Sequence, residues 1–247
     1  TTTMDWISPT MGESMGLSAN RGQRTAQMFN KFGCPSARLF NQQVFNIPPM
    51  ADVNDFNTIL NRDGIRQISY LAMEGFMCWP QTAPNASSLA ASIGGDATFG
   101  HDTPVKVASA YRPRLDMVGA QPGTKVLVAD GSRFFAKQGG NTFLDFDIDC
   151  TPRYFGSFVS SGPTYHGSTE YGRQVRSDAA DDRWKASFRH AGFRTNVAYF
   201  DGHASIMKST DAWGDAAPFY PGGSKYVGGS ETPEAAAFYS THSRNIP

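Results

Sequence analysis

The chain has 247 residues, and its 22 Lys plus Arg are balanced by 22 Asp plus Glu, so the formal net charge is zero. A neutral chain without a basic run carries no electrostatic footprint for nucleic acid or an anionic membrane surface. An aromatic content of 13% excludes a disordered tail, and no stretch approaches the roughly 18 apolar residues of a membrane-spanning helix.

Low charge and abundant Gly, Pro, Ser, Thr and Asn predict long ordered loops and short strands rather than a helical bundle. The chain opens Thr1-Thr2-Thr3 with Met only at position 4, which points either to processing or to a chain trimmed of something upstream. Asn20 to Phe32 can form a helix stopped by Gly33, with Cys34-Pro35-Ser36 breaking the chain after it. A second short helix should end at Gly64. Residues 65 to 73 read as a strand, 80 to 103 as a long surface loop, and 104 to 111 as a strand or extended segment. The run 123 to 131, "GTKVLVADG", is a strand. In 142 to 150, "TFLDFDIDC", strict alternation puts Leu144, Phe146 and Ile148 on the core face, opposite Asp145, Asp147 and Asp149. "WKASFRH" and "TNVAYFDGHASIM" supply the last strands. Thr232, Pro233 and Glu234 then signal the cap and first turn of a terminal helix. The sum is an α+β fold, mostly antiparallel, in one domain spanning 1 to 247, with its core at 6 to 207 and a C-terminal loop and short helix beyond.

Cysteines 34, 78 and 150 match no zinc spacing; if two of them pair, Cys34 with Cys78 is the first choice. Asp201-Gly202 between two β-rich runs is a hairpin signal, in which the residues of a tight type I′ turn take positive φ. The turn alone accounts for Asp201 and Gly202, although His190 and His203 could converge on Asp201 to hold a cation. A second Asp-Gly pair, Asp130-Gly131, closes another β run, and neighbouring strands would bring Asp130 near His190 or Asp201. Three carboxylates in line at 145, 147 and 149 repel unless they are solvated or bridged by an oxygen-seeking cation such as Ca²⁺. There is no nucleophile elbow, zinc-protease helix or phosphate loop. Asn85-Ala86-Ser87 matches a glycosylation sequon.

The order of landmarks carries further than any one of them. Trp6, "FGCPSA" (32–37), "ISYLAMEGF" (68–76), "PGTKVLVADG" (122–131) and "FRHAGFRTNVAYFDGHASIM" (188–207) follow one another. This series resembles the head domain of bacterial prepilin-like, pseudopilin-related proteins with a His-x-nine-Asp-Gly signature. Ten residues separate His190 from Asp201 here, one more than in that pattern, and the family's cleavage motif and long apolar helix do not occur in this sequence. The resemblance implies a non-enzymatic, exported building block at the bacterial cell surface, partnered by copies of itself or by other pilin-like subunits. It also raises the expectation of a structural Ca²⁺ without choosing its ligands. Assembly is expected through the Gly/Ser-rich loops at 80–103 and 221–231, bordered by Trp79, Phe99, Phe219, Tyr220 and Tyr226. The alternative is a surface module binding carbohydrate or protein, with Trp79, Trp184 and Trp213 as stacking platforms. A hydrolase using the 145 to 149 carboxylates ranks last, since nothing there splits their pKa values into acid and base.

Overall fold

A computed structural model of the chain describes residues 14–41, 52–66, 68–77, 104–108, 110–132, 135–138, 141–144, 159–160, 162–166, 170–173, 183–229 and 231–247. In chain order these contain α1 (Arg21–Phe32), β1 (Leu39–Phe40), α2 (Val53–Asp63), β2 (Ile65–Arg66), β3 (Tyr70–Met73) and α3 (Glu74–Met77). There follow β4 (Val105–Lys106), β5 (Val126–Asp130), β6 (Phe135–Gln138), β7 (Asn141–Leu144) and β8 (Val159–Ser160). The C-terminal part holds α4 (Arg183–Ser187), β9 (Arg194–Tyr199), β10 (Ala204–Lys208), α5 (Ser209–Gly214), β11 (Lys225–Tyr226) and α6 (Pro233–Tyr239). The class is α+β with antiparallel pairing, as the composition and strand pattern imply. The chain divides into two compact units, Ala72–Ala129 with Ser160–Pro247, and Thr2–Leu71 with Asp130–Val159.

In the second of these units, Asn20 caps α1 by accepting a hydrogen bond from Gln23 N, as its short polar side chain at the boundary foretells. Buried Met28 and Phe29 on α1 and Phe56 and Leu60 on α2 give each helix an apolar face. Gly64 ends α2 at φ +72°, a conformation that L side chains resist. Ser69 stitches three segments together: its Oγ accepts Cys34 N at 2.9 Å, its carbonyl accepts Gly131 N at 2.5 Å, and its own N–H donates to Phe32 O. The thiol of Cys34 is free and buried, with Sγ 3.0 Å from Ser36 Oγ, so the pairing of Cys34 with Cys78, first choice if two cysteines pair, does not form. Cys78 and Cys150 lie outside the described residues. The run read as one strand at 65 to 73 is two, β2 and β3, and α3 follows directly. β6 and β7 form a hairpin with Gln138 opposite Asn141. Residues 145 to 150, and with them Asp145, Asp147 and Asp149, lie outside the described residues, as does the loop 80–103.

The larger sheet is ordered β10-β9-β5-β3-β8, and β9 and β10 lie wholly in the first unit. β9 alternates buried Thr195 and Val197 with exposed Arg194 and Asn196, the period-two pattern of a strand with one covered face. Its core is aromatic. The Trp213 ring meets Trp184 at 5.2 Å and Phe188 at 5.1 Å, edge to face, and its Nε1 donates to Tyr171 O. Of "WKASFRH", expected as a strand, Trp184 to Ser187 lie in α4, and Phe188 just beyond it donates its N–H back to Trp184 O. The two large rings stand four apart and share one helix face, so the spacing that matters is the helical one. Thr232 caps α6 as expected. Its Oγ1 accepts Ala235 N and donates to Trp213 O, which ties the cap to the core.

Lys125 sits in this core, 2% exposed, with Nζ donating to Ala217 O at 2.8 Å and Tyr220 O at 3.1 Å. Burial pushes its pKa down to about 8, partly offset by Asp215. Between pH 8 and the ordinary lysine value near 10.4 the unfolded chain therefore holds a proton that the folded chain has released, so stability rises with pH there and is lost as pH falls through 8. Tyr226 and Tyr239 are shifted upward, first by burial and then by the Glu231 and Asp215 carboxylates respectively, so they withdraw stability above about pH 10. Urea midpoints measured from pH 7 to 11 should climb and then fall; a flat profile between pH 8 and 10 would contradict this account of Lys125.

Candidate functional site

The sequence singled out the β9–β10 hairpin, and the residues there can be placed one by one. β9 and β10 pair with Ala198 opposite Ala204 and Arg194 opposite Lys208. Their connection is a three-residue loop, Phe200-Asp201-Gly202, closed by Gly202 N to Tyr199 O and by Tyr199 N to His203 O. Gly202 has the expected positive φ, +92°, while Asp201 does not. The turn is thus a type I turn with a left-handed glycine after it, rather than the two-residue type I′ that the sequence suggested. The difference lies in Asp201. Its Oδ1 accepts His203 N at 3.1 Å and contacts His203 Nδ1 at 2.6 Å, a side-chain bond to the backbone two residues on that braces the turn. The N–H of His203, and then its ring, hold the Asp201 carboxyl below its ordinary pKa. Replacing Gly202 by Ala should cost about 1 kcal/mol or more, because a Cβ at that φ is strained even though nothing crowds it. A melting temperature unchanged by Gly202→Ala would remove this role from the signature glycine.

Asp201 docks against the turn ahead of β5. A Cβ on Gly123 would stand 2.6 Å from Asp201 Oδ2, so the carboxylate lies close against this glycine and would have to swing aside for a larger residue. Phe200 N donates to Lys125 O, which starts the β9–β5 ladder of Val126 with Tyr199 and Ala129 with Val197. β5 and β9 are neighbours, as a meeting of the two Asp-Gly ends would require, but they run antiparallel. Asp201 therefore meets the beginning of β5, whereas Asp130 is its last residue, is buried and falls in the other compact unit. His190 precedes β9, bridging Arg194 and meeting Asn196 Nδ2 through Nε2 at 2.9 Å. The six residues of β9 thus separate His190 from Asp201, by about 20 Å at a strand's rise. These two candidate ligands do not meet. The histidine that does reach Asp201 is His203, stacked on the Tyr199 ring at 4.2 Å.

Trp213, offered as a stacking platform for the binding alternative, is 5% exposed and spent inside the core; Trp184 lies beside it. Trp79 lies outside the described residues. Phe219, Tyr220 and Tyr226, expected at a docking loop, are buried. Segment 221–229 is held from within instead: Gly222 N donates to Val118 O, Gly223 N to Ile246 O and Tyr226 N to Arg244 O. A groove of about 510 Å³ runs between α1 and α2, with Gln23, Gln27, Asn30, Lys31, Asp55 and Arg62 among its lining. Its groups are engaged locally, as Gln27 Oε1 accepts Ser18 N, Lys31 donates to Met15 O and Arg62 pairs with Asp63. Among the described residues no helix is long and apolar enough to cross a membrane. Comparisons with family models, with curated proteins and with solved structures find no match for this chain.

Proposed function

We propose that this chain is a structural assembly subunit, the pilin-like head of an extracellular filament or secretion pseudopilus, which acts without catalysis. The observation that carries the reading is the use made of the signature residues. Gly202 sets the hairpin turn, Asp201 holds it through His203, and Phe200 N ties it to Lys125 O ahead of β5. A motif spent on joining strands suits a building block better than an enzyme, whose acid and base need separated pKa values and a place for substrate. Neutral net charge removes the self-repulsion that keeps copies apart. The partners are further copies or other pilin-like subunits, and a structural Ca²⁺ remains part of the proposal without assigned ligands.

The test is immunogold electron microscopy of surface material from the source cells, using an antibody to this chain. Labelled filaments or stubs of regular repeat are expected. Label confined to dispersed particles would overturn the filament reading.

A further inference from the structure

We propose that β10 pairs edge to edge with β10 of a second copy of this chain, antiparallel and centred on Ile206. β10 closes one side of its sheet, and among the described residues no strand lies beyond it. Tyr199 N donates to His203 O and Ser209 N to Phe193 O, so the odd-numbered residues of β10 are the ones bonded to β9. In an antiparallel ladder the alternate residues turn their N–H and C=O the other way. Ala204, Ile206 and Lys208 therefore present a row of backbone donors and acceptors at the edge. Such a row is a template for another strand.

The occupant follows from the sequence of that edge. A twofold axis at Ile206 sets Ala204 opposite Lys208 of the copy and Ile206 opposite its own image, so every outward donor finds an acceptor. Ile206 is 60% exposed and stands on the open face with Ala204 and Lys208, all three exposed. Pairing would cover the two isoleucines against each other across about 5.5 Å between Cα atoms, a contact of the kind that stabilises strand pairs. Antiparallel pairing also lays each Lys208 across an alanine. Parallel pairing in register would set Lys208 beside its copy at about 4.8 Å, where like charges repel. The edge is short, and a contact this size falls below the roughly 1,200 Å² of stable interfaces, so the dimer is concentration-dependent.

This inference stands apart from the filament reading, because a twofold contact closes on itself and makes pairs, not fibres. Sedimentation velocity of the full chain, from about 10 µM to about 1 mM where weak contacts populate, should show a monomer–dimer equilibrium. Ile206→Lys should weaken it at least about tenfold while circular dichroism stays unchanged, since the side chain is exposed. Register is read by oxidation at high concentration. Ile206→Cys should give a disulfide-linked dimer on a non-reducing gel, because facing Cα atoms at about 5.5 Å permit the bond. Ala204→Cys, which faces Lys208 of the copy, should remain at the background set by the parent chain. A monomer throughout the range, or equal crosslinking from positions 204 and 206, overturns the proposal. Filaments without such dimers would leave the assembly reading and remove this contact; dimers without filaments would do the reverse.

Discussion

Trp213→Ala should destabilise the chain by about 3–5 kcal/mol, the range for deleting a large aromatic side chain from a packed core. Three losses coincide at this residue. The rings of Trp184 and Phe188 lose the edge-to-face partner they share. Tyr171 O loses the indole N–H that bonds it in a buried setting, an orphaning that adds its own penalty. The collapse would also disturb Thr232, whose hydroxyl caps α6 while donating to the Trp213 carbonyl. Trp213→Phe separates the contributions, keeping most of the ring packing and losing the donor, and should cost less than half as much. Urea denaturation followed by far-ultraviolet circular dichroism measures both. A loss below about 1 kcal/mol for Trp213→Ala would mean the aromatic cluster is not the core of its unit.

Gly22→Ala should destabilise as well, by roughly 1–3 kcal/mol, against the usual sign for this exchange. Within a helix, alanine ordinarily gains about 1 kcal/mol over glycine. Here Gly22 lies in the first turn of α1 where α2 begins, and a Cβ would overlap Asp52 O and stand 2.8 Å from Phe56 N. Both are backbone atoms, which cannot swing aside as the end of a flexible side chain can. The strain falls on the join of the two helices. A thermal melt settles the sign: a Gly22→Ala protein more stable than its parent would show that α1 and α2 are not in this close contact.

What could be read from the sequence is what local chemistry decides. Asn20 and Gly33 delimit α1, Thr232 and Pro233 begin α6, and Asp201-Gly202 turns the hairpin, each through bonds within a few residues. What escaped depends on partners far along the chain. Trp184 and Phe188 read as alternating strand residues until Trp213 supplies the surface against which one helix face is needed. Helix α5, "STDAWG", carries no capping side-chain bond and so gave no signal of its own. The aromatics at 219, 220 and 226 looked outward because the Gly and Ser around them looked like loop, whereas Ile246, 2% exposed, and its neighbours fold that segment inward. His190 and Asp201 stand close in one motif, but a strand between two residues is a spacer.

The hairpin and its neighbour are joined on very different terms. β9 meets β10 across three loop residues, whereas β5 reaches β9 from a distant part of the chain. A short hairpin forms in about 1–10 µs, and long loop closure comes later because its entropy must be overcome first. The expected order of assembly follows: the turn at Gly202 forms in the nucleus, and Asp201 comes to lie beside Gly123 only later. The loss caused by Gly202→Ala should accordingly appear as slower folding rather than faster unfolding. Until β5 arrives, the nascent hairpin has two open sides instead of one, and the interval before that closure is when this chain is most exposed to pairing with the wrong strand.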